Sequence, residues 1–332
     1  MLAIEITAPG GPEALQPKTM PIPEPGPGEV LIRVAAAGVN APDLAQRRGA
    51  YPPPPGASPL PGLEIAGEVV AAGPGAASYA PGDAVVALCN GGGYAEYALV
   101  PAGQVLPLPR GWGFVAGAAL PETYFTIQQT LLMKAGLKSG MTVLVHGAAG
   151  GIGGAAIAIA TRYGARAIGV VSSAEKAAYA RSLGAVETID RRREDVVERI
   201  KEITGGRGVD RVVDIVGGKT LGVSITASAI EAHILVLATL SGSQAEINAG
   251  LIVSRRLTLH GSTLRPQPPE VKAAIAANLR ANVWPWLESG AIARPRIETF
   301  PIVEAAAAHA SMEMPGHFGK TVLVTEFGRA HG

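Results

Sequence analysis

The segment Gly147-Ala148-Ala149-Gly150-Gly151-Ile152-Gly153 separates an apolar run, residues 141–145, from an Ala- and Ile-rich stretch typical of a helix. A buried strand that leads through a glycine-rich turn into a helix binds a pyrophosphate, because the glycines admit the phosphates and the helix N-terminus offers unpaired N–H groups. Ala148 replaces the first glycine of the usual G-x-G-x-x-G pattern, so that Gly150 and Gly153 remain of its three glycines. Since the flanking strand and helix have the required order, the segment predicts a nucleotide-binding α/β domain.

The residues after the next apolar run, residues 167–171, indicate which nucleotide is bound. NAD-binding domains usually carry an acidic residue there, which hydrogen-bonds the ribose 2′-hydroxyl. This chain has Ser172, Ser173 and Lys176 instead, and Arg191 follows the third predicted strand. Because hydroxyls and cations favour a 2′-phosphate, we predict NADP(H) as the cofactor. In the alternative interpretation, Ser172 only caps the next helix and the two cations are solvated surface charges.

The composition limits the class of protein. The chain has 332 residues, of which 48% are hydrophobic and 17% charged, and this suits two globular domains with separate cores. The net charge of +1 gives no basic field for nucleic acid or an anionic membrane, so we expect neither partner. No run approaches the roughly 20 apolar residues of a membrane helix. The single cysteine, Cys89, favours a reducing compartment, and we therefore predict a cytoplasmic protein.

The pattern of apolar runs divides the chain into two parts. Residues 1–118 combine short apolar runs with Gly- and Pro-rich turns, which is typical of a small β-rich, barrel-like domain. From about residue 120 onward, apolar runs alternate with helical segments, and this predicts a doubly wound parallel sheet. Its six predicted strands are residues 143–146, 167–171, 186–189, 211–215, 234–237 and 257–260. Two further runs near the end are expected to return to the first part, which predicts one domain from residues 1–120 and 266–332 and another from residues 121–265.

Several short motifs occur in a fixed order along the chain. They are Pro27-Gly-Glu-Val-Leu-Ile-Arg33, Ala37-Gly-Val-Asn40, Pro61-Gly-Leu-Glu64, Pro81-Gly-Asp-Ala-Val85, Gly92-Gly-Tyr-Ala-Glu-Tyr97, Leu120-Pro-Glu122 and Gly319-Lys320. With these motifs the chain resembles, nearly end to end, the zinc-free NADPH:quinone oxidoreductase (zeta-crystallin-like) branch of the medium-chain dehydrogenase/reductase superfamily. Residues 43–56 resemble the tumour-suppressor-inducible quinone reductase subgroup. The resemblance implies a GroES-like domain for the β-rich part and a Rossmann domain for the α/β part.

The resemblance also concerns metal binding. Zinc-dependent members of the superfamily bind a catalytic zinc through cysteine and histidine, and this chain has Asn40 and Leu63 at those positions. Its six histidines form no pair spaced by four residues, and we expect each at a strand end or on the surface. We therefore predict no bound metal. Without a Lewis acid, the acceptor must carry negative charge itself, which favours quinones and activated enones.

These observations predict an enzyme that reduces quinones with NADPH by hydride transfer. Two alternatives stay open. The first is an NADPH-dependent reductase of alkenals, enones or enoyl thioesters. The second is a non-catalytic NADPH-binding protein with a structural, regulatory or RNA-binding role. The sequence does not identify the physiological acceptor.

The resemblance implies roles for two residues near the substrate. Asn40 is expected to contact the nicotinamide ribose or the substrate carbonyl, unless it only forms a turn before Pro42. Tyr51 is expected to stack on the quinone or to donate a hydrogen bond to its developing oxyanion, unless it only packs on the prolines at 52–55.

The resemblance implies cofactor contacts for a larger set. Thr126 is expected near the ribose and phosphates, and the pyrophosphate contacts come from Gly150, Gly151 and Ile152. The remaining candidates follow the fifth and sixth strands or lie near the C-terminus: Ala238, Thr239, Leu240, Ser262, Thr263, Leu264, Phe318 and Lys320. Superfamily members often pair the sixth strands of two subunits, so we expect a homodimer through the sheet edge at residues 257–261.

Overall fold

The computed structural model describes residues 1–76 and 78–331, which form two compact units. The first unit consists of Met1–Phe125, Arg265–Glu288 and the residues from Arg294 onward. The second unit consists of Thr126–Leu264 and Ser289–Ala293. The chain therefore leaves the first unit a few residues later than the predicted boundary at 120/121. The exact limits of the two domains stay predictions.

Strands predominate in the first unit of the described residues, whereas strands and helices alternate in the second. The strands are β1 (Leu2–Ile6), β2 (Leu15–Thr19), β3 (Glu29–Val39), β4 (Glu64–Ala72), β5 (Ala84–Leu88), β6 (Tyr97–Pro101), β7 (Val105–Pro107), β8 (Thr142–His146), β9 (Arg166–Val171), β10 (Glu187–Asp190), β11 (Val209–Asp214), β12 (Ser228–Val236), β13 (Thr258–Gly261), β14 (Ile297–Pro301) and β15 (Lys320–Val324). The helices are α1 (Ala41–Arg47), α2 (Phe114–Gly117), α3 (Pro121–Ile127), α4 (Gly151–Arg162), α5 (Ala174–Ser182), α6 (Val196–Thr204), α7 (Lys219–Ala227), α8 (Ala249–Arg255), α9 (Pro269–Asn282), α10 (Trp284–Glu288), α11 (Ala305–Glu313) and α12 (Glu326–His331).

The second unit is built on a six-stranded sheet with the order β10-β9-β8-β11-β12-β13. Every neighbouring pair in this sheet is parallel. The central strands are apolar and buried, as Leu144, Ile168 and Val212 illustrate, each with no exposed surface. Such strands read as continuous apolar runs, because helices cover both faces of parallel sheets. All six strands predicted from the sequence are confirmed. The chain order reverses between β8 and β11, and ligands of such sheets bind at the carboxyl ends of the strands near this point.

The first unit contains a seven-stranded sheet in which β3 is the central element. The order is β14-β15-β3-β4-β5-β7, and β6 pairs with β3 outside this path. The first half of β3 pairs with β4 and β6, whereas its second half pairs with β4 and β15. Register shifts between Leu31 and Ile32 and between Val34 and Ala36 interrupt the β3–β4 ladder. Such bulges bend a strand, and one long strand can therefore serve several partners of a barrel-like sheet. The predicted return of the chain as two added strands, β14 and β15, is confirmed.

One histidine departs from the sequence prediction of strand-end or surface positions. His309 lies within α11 with no exposed surface. Its Nε2 is 3.0 Å from the hydroxyl of Tyr94, and its Nδ1 is 3.4 Å from Nη1 of the buried Arg47. Arg47 also donates to Glu313 at 2.6 Å. The polar partners of His309, Tyr94 and Arg47, therefore come from two distant parts of the chain. They satisfy a ring that the sequence pattern could not identify as buried.

Among residues 1–76 and 78–331, no helix is long and apolar enough to cross a membrane.

Candidate functional site

The glycine-rich segment joins β8 to α4 in the second unit. Gly147 has a φ of 69°, and a Cβ there would lie 2.7 Å from Cδ1 of Ile215, so the turn requires glycine. Gly153 has no room for a side chain, since a Cβ would lie 2.3 Å from the carbonyl oxygen of Gly147. Gly150 is the N-cap residue of α4 and supplies no capping side chain. The N–H groups of the first helical turn, which begins at Gly151, therefore remain available to a pyrophosphate.

The two serines after β9 have different environments. Ser173 is the N-cap residue of α5, and its Oγ accepts a hydrogen bond from the backbone N–H of Lys176 at 3.3 Å. The alternative interpretation in which Ser172 caps this helix is therefore wrong. Within the described part of the chain, the Ser172 hydroxyl has no hydrogen-bond partner. Ser172 is thus the serine with a hydroxyl to offer a ligand.

Cationic side chains cluster beside these serines. The backbone N–H of Arg191 donates to the carbonyl oxygen of Val171 at 3.1 Å, which holds the chain after β10 next to the end of β9. Burial and the nearby charges of Arg192 and Arg191 lower the pKa of the half-buried Lys176. A bound phosphate would relieve this mutual repulsion. Arg192 was missed by the sequence analysis, although the run of three arginines at 191–193 gave a signal.

A buried hydrogen-bond network joins the ends of β8 and β11. Asp214 accepts through Oδ1 from the backbone N–H of Val216 at 2.9 Å. Ser224 donates to Oδ2 of Asp214 at 3.3 Å, so its oxygen accepts from Nε2 of His146 at 3.1 Å. Burial lowers the pKa of His146, which favours the neutral ring. The hydrogen bond to Ser224 then assigns its proton to Nε2. Since His146 directly precedes Gly147, this network fixes the start of the glycine-rich turn.

The six candidates after β12 and β13 differ in burial. Thr239, Leu240 and Thr263 are exposed, Ala238 and Ser262 are half-buried, and Leu264 is buried. The Ser262 hydroxyl donates to Oε1 of Gln129 at 3.3 Å. The structure therefore leaves most of this set accessible, and their contacts with the cofactor stay a prediction.

In the first unit, Asn40 is the buried N-cap residue of α1. Its side-chain amide is held at both ends, since Nδ2 donates to Oε1 of Glu64 at 2.8 Å and Oδ1 accepts from Nζ of Lys320 at 2.7 Å. Lys320 and Glu64 also form an ion pair at 2.5 Å, with side-chain exposures of 4% and 0%. The predicted contact of Lys320 with the cofactor is disfavoured, because its ammonium is committed to this buried cluster.

Two further carboxyl groups lie near Glu64. Burial raises the pKa of Asp43 to about 7, although the backbone N–H groups of Gly62 and Asn40 oppose the shift. Burial, together with the charges of Glu64 and Asp43, raises the pKa of Glu122 to about 8. The backbone N–H of Glu122 donates to Oε2 of Glu64 at 2.9 Å. These two carboxyl groups hold protons close to neutral pH. The local sequence does not mark them as titrating groups, because their environment comes from distant residues.

Tyr51 is half-buried, and the guanidinium of Arg265 lies 5.6 Å from its ring centroid. Arg265 donates to the carbonyl oxygen of Asn90 at 2.8 Å and to Oε1 of Gln46 at 2.8 Å. A guanidinium at this distance attracts the face of an aromatic ring. Burial and the charge of Glu122 raise the pKa of Tyr51, so that its hydroxyl remains a hydrogen-bond donor. Arg265 was missed by the sequence analysis.

Two further residues were predicted to contact the cofactor, Phe318 and Thr126. Phe318 is half-buried, with the guanidinium of Arg296 4.4 Å from its ring centroid. Thr126 is half-buried near the end of α3, and its carbonyl oxygen accepts from Oγ1 of Thr130 at 2.7 Å. Their contacts with a cofactor stay predictions.

The residues around Asn40 do not suit a zinc ion. Among residues 1–76 and 78–331, no group of three or more His, Cys, Asp or Glu side chains is arranged to hold a metal. Leu63, at the position of a histidine ligand, is buried and apolar. Oxygens of Asn40 and Glu64 are already paired with the ammonium of Lys320. A metal cation at this place would be repelled by that charge.

Comparison with known proteins finds likeness across both units. The family model described as alcohol dehydrogenase GroES-like domain matches residues 26–110, and the one described as zinc-binding dehydrogenase matches residues 151–279. A quinone oxidoreductase of Pseudomonas aeruginosa is 36% identical over 97% of this chain and 98% of its own length. These matches confirm the predicted pairing of a GroES-like domain with a Rossmann domain.

Solved structures are also similar to this chain over nearly its whole length. The structure of Escherichia coli quinone oxidoreductase complexed with NADPH has a TM-score of 0.86 at 31% identity, covering 98% of this chain and 100% of that one. The CurK enoyl reductase also has a TM-score of 0.86, at 26% identity, covering 98% of this chain and 99% of that one.

Proposed function

Because this chain belongs to the quinone oxidoreductase branch of the medium-chain dehydrogenase/reductase superfamily, we propose that it reduces quinones with NADPH by hydride transfer. The observation that carries the cofactor assignment is the group of Ser172, Lys176 and Arg191 at the carboxyl ends of β9 and β10. An unpaired hydroxyl and adjacent cations at this point favour a ribose 2′-phosphate. The Escherichia coli relative, whose structure was solved as a complex with NADPH, agrees with this choice.

The chain's own residues divide the binding of the cofactor between them. The first turn of α4, which begins at Gly151 and includes Ile152, would hold the pyrophosphate through backbone N–H groups. The N–H of Gly150 donates to the carbonyl oxygen of Gly147 at 3.0 Å, so Gly150 would contribute the space that a residue without a side chain leaves. Ser172, Lys176 and Arg191 would hold the 2′-phosphate. When bound, NADPH supplies the hydride. The chain supplies position and electrostatics for that transfer.

Tyr51 and Asn40 are the groups that we propose for contact with the acceptor. The ring of Tyr51, held beside Arg265, offers a surface for stacking and a hydroxyl for donation. Asn40 offers an amide N–H group. A quinone spreads the negative charge that it gains over its ring and oxygens, so that hydrogen-bond donors suffice to stabilise it.

A second candidate function is the reduction of an activated alkene, and the likeness to CurK enoyl reductase favours it. The test compares the oxidation of NADPH and NADH with 1,2-naphthoquinone and with a medium-chain 2-alkenal as acceptors. Rapid oxidation of NADPH by the quinone supports the main proposal. Turnover with the alkenal alone assigns the chain to the enone reductases. NADPH binding without turnover of either acceptor favours a non-catalytic role.

We further propose that the chain forms a homodimer through β13. This strand pairs with β12 on one side and is the last strand of its sheet, so that one edge of it lacks a partner within the described residues. Leu259 on this strand is 37% exposed. The substrate is a small molecule. A cytoplasmic location and the absence of a nucleic-acid partner stay predictions.

A further inference from the structure

The side-chain amide of Asn40 can adopt only one orientation. Lys320 carries an ammonium, which donates hydrogen bonds and cannot accept them, so it must face Oδ1. Glu64 carries a carboxylate, which accepts and cannot donate, so it must face Nδ2. Because the ionised partners determine which atom is oxygen and which is nitrogen, the usual ambiguity of an asparagine amide does not arise. One N–H of Nδ2 is used by Glu64, and the second has no acceptor among the described residues.

We propose that Glu64 and Lys320 are positioning residues, which present this second N–H of Asn40 to the oxygen of the bound acceptor. This inference rests on the proposed function and extends it to residues that touch neither substrate nor cofactor. Asn40 is then the catalytic donor. The inference gives Lys320 a different role from the cofactor contact predicted from the sequence.

The placement of the three residues in the fold supports this role. Asn40 directly follows β3, whereas Glu64 begins β4 and Lys320 begins β15, and both of these strands pair with β3. Groups on neighbouring strands are held more precisely than groups on loops. Glu64 receives a further hydrogen bond from the backbone N–H of Glu122 at 2.9 Å, which limits its rotation. The donor is therefore oriented before the acceptor binds.

The charges around Asn40 also make its N–H a better hydrogen-bond donor. The ammonium of Lys320 polarises the amide through Oδ1, which strengthens the N–H groups at the opposite end. Burial of the cluster keeps water from competing, since the side chains of Lys320 and Glu64 are 4% and 0% exposed. A donor that is fixed in advance stabilises developing negative charge without the cost of reorienting at the moment of reaction.

The test compares three variants and one control. Asn40→Leu removes the donor and leaves the Lys320–Glu64 ion pair. Lys320→Met combined with Glu64→Gln removes both charges together, which avoids leaving one buried charge without its partner. A variant with all three substitutions completes a mutant cycle between Asn40 and the Glu64–Lys320 pair. Lys18→Met is the matched control, because Lys18 forms an ion pair of similar length, 2.6 Å, with Glu5 on the exposed surface.

We expect Asn40→Leu and the Lys320→Met/Glu64→Gln variant each to lower kcat for quinone reduction by roughly 10-fold or more, with NADPH affinity unchanged. If Glu64 and Lys320 act through Asn40, the variant with three substitutions is no slower than Asn40→Leu. If Glu64 and Lys320 have a purely structural role, the separate losses in kcat multiply in the variant with three substitutions. That result would overturn the proposal. Normal kcat in a folded Lys320→Met/Glu64→Gln variant would also overturn it.

A second readout needs no turnover. The chain has five asparagines, so ¹⁵N-asparagine labelling gives a simple spectrum, in which Asn40→Leu identifies the Asn40 side-chain signal. We expect slow exchange of that amide with solvent in the wild type without cofactor, and faster exchange in the Lys320→Met/Glu64→Gln variant. Equal exchange in both contradicts the fixed orientation. A wild type that reduces no quinone, but has the slowly exchanging amide, would instead refute the proposed function.

Discussion

At the scale of single residues, the cations beside β9 should decide between the two nicotinamide cofactors. Replacing Lys176 or Arg191 by Ala removes a charge-assisted hydrogen bond to the 2′-phosphate, which NADH lacks. We expect NADPH binding to weaken by about 1–3 kcal/mol and NADH binding to change little. Fluorescence titration with both cofactors measures the difference. The control is Arg193→Ala, because Arg193 is exposed and lies 3.8 Å from Asp190 in an ion pair. Equal weakening of both cofactors would rule out the 2′-phosphate assignment.

The hydroxyl of Tyr51 can be tested separately from its ring. Tyr51→Phe keeps the aromatic surface beside Arg265 and removes the donor. We expect kcat with a quinone to fall by roughly 10-fold while the Kd for NADPH stays constant. Tyr79→Phe serves as the control, since that hydroxyl donates to the carbonyl oxygen of Val105 and we assign it no role in catalysis. Unchanged turnover in Tyr51→Phe would leave Tyr51 as a packing or stacking residue.

The buried His309 should make stability depend on pH. Burial, reinforced by the charge of Arg47, lowers the pKa of His309 from 6.5 to about 3. Between these values the unfolded chain binds a proton that the folded chain does not, so stability is fully present above pH 6.5 and falls as the pH decreases. We expect His309 to account for about 2–3 kcal/mol of the loss between pH 7 and pH 4.5.

Urea unfolding of wild type and His309→Gln at both pH values measures this contribution. Glutamine does not titrate, so the variant should lose less stability on acidification, even if it is less stable at pH 7. Other titrating groups contribute equally to both proteins, so their effects cancel in the comparison. One of them is Asp43, whose pKa is raised to about 7, so that its contribution to stability increases as the pH falls. His331→Gln, at an exposed position in α12, is the control. An equal acid loss in wild type and His309→Gln would contradict the prediction.

The site residues that the sequence could propose are those within one local motif, and their contacts with the cofactor stay predictions. Ser172 and Lys176 could be identified because they directly follow a strand of the dinucleotide-binding unit. Arg265 could not be identified, since its partners Gln46 and Asn90 lie far away in the sequence. The burial of Lys320 likewise depends on Glu64, a distant residue on another strand.

At the scale of elements, the turn from β8 to α4 should tolerate a side chain at one glycine and reject it at another. A Cβ at Gly153 would lie 2.3 Å from a backbone oxygen, which cannot move aside without distorting the turn. At Gly150 the nearest atom would be 3.5 Å away, an ordinary contact. We expect Gly153→Ala to lower the free energy of unfolding by about 1–3 kcal/mol and to weaken NADPH binding.

The matched variant Gly150→Ala should stay close to wild type in both properties. Urea unfolding and NADPH titration of the two variants give the comparison. Similar losses of stability and NADPH affinity in Gly153→Ala and Gly150→Ala would contradict the prediction. The close approach of Gly153 to a backbone oxygen would then not explain why the turn has glycine there.

Elements with a strong apolar pattern were predictable, and elements without one were not. The strands of the parallel sheet are continuous apolar runs, and all six were found from the sequence. α8 has no buried residue, so no periodic apolar face marks it. β7 has three residues, too few for any period to be recognised. In both cases tertiary contacts, rather than local sequence, determine the structure.

At the scale of the whole molecule, the sequence indicated two kinds of domain and the return of the chain to the first. It did not indicate how β3 serves β4, β6 and β15 together, because this depends on register shifts within one long strand. Register between distant strands is set by contacts that no local pattern records.

The free edge of β13 gives the last prediction, which concerns assembly. An exposed strand edge has unpaired N–H and C=O groups, and the same edge of a second copy can satisfy them about a two-fold axis. Leu259→Lys places a charge on this edge, where lysine opposes pairing. We expect the wild type to be a dimer and Leu259→Lys to be a monomer or a dimer of much lower affinity, as measured by sedimentation velocity over a range of concentrations.

The control for this prediction is Val186→Lys. Val186 is 48% exposed and directly precedes β10, the strand at the opposite end of the same sheet. Val186→Lys adds the same charge to the same unit as Leu259→Lys, so any general effect of charge on association would appear in both variants. If Val186→Lys dissociates as readily as Leu259→Lys, the interface is not specific to β13. If the wild type itself sediments as a monomer at every concentration, the proposed homodimer is wrong, and the unpaired edge of β13 does not drive association in spite of its exposed leucine.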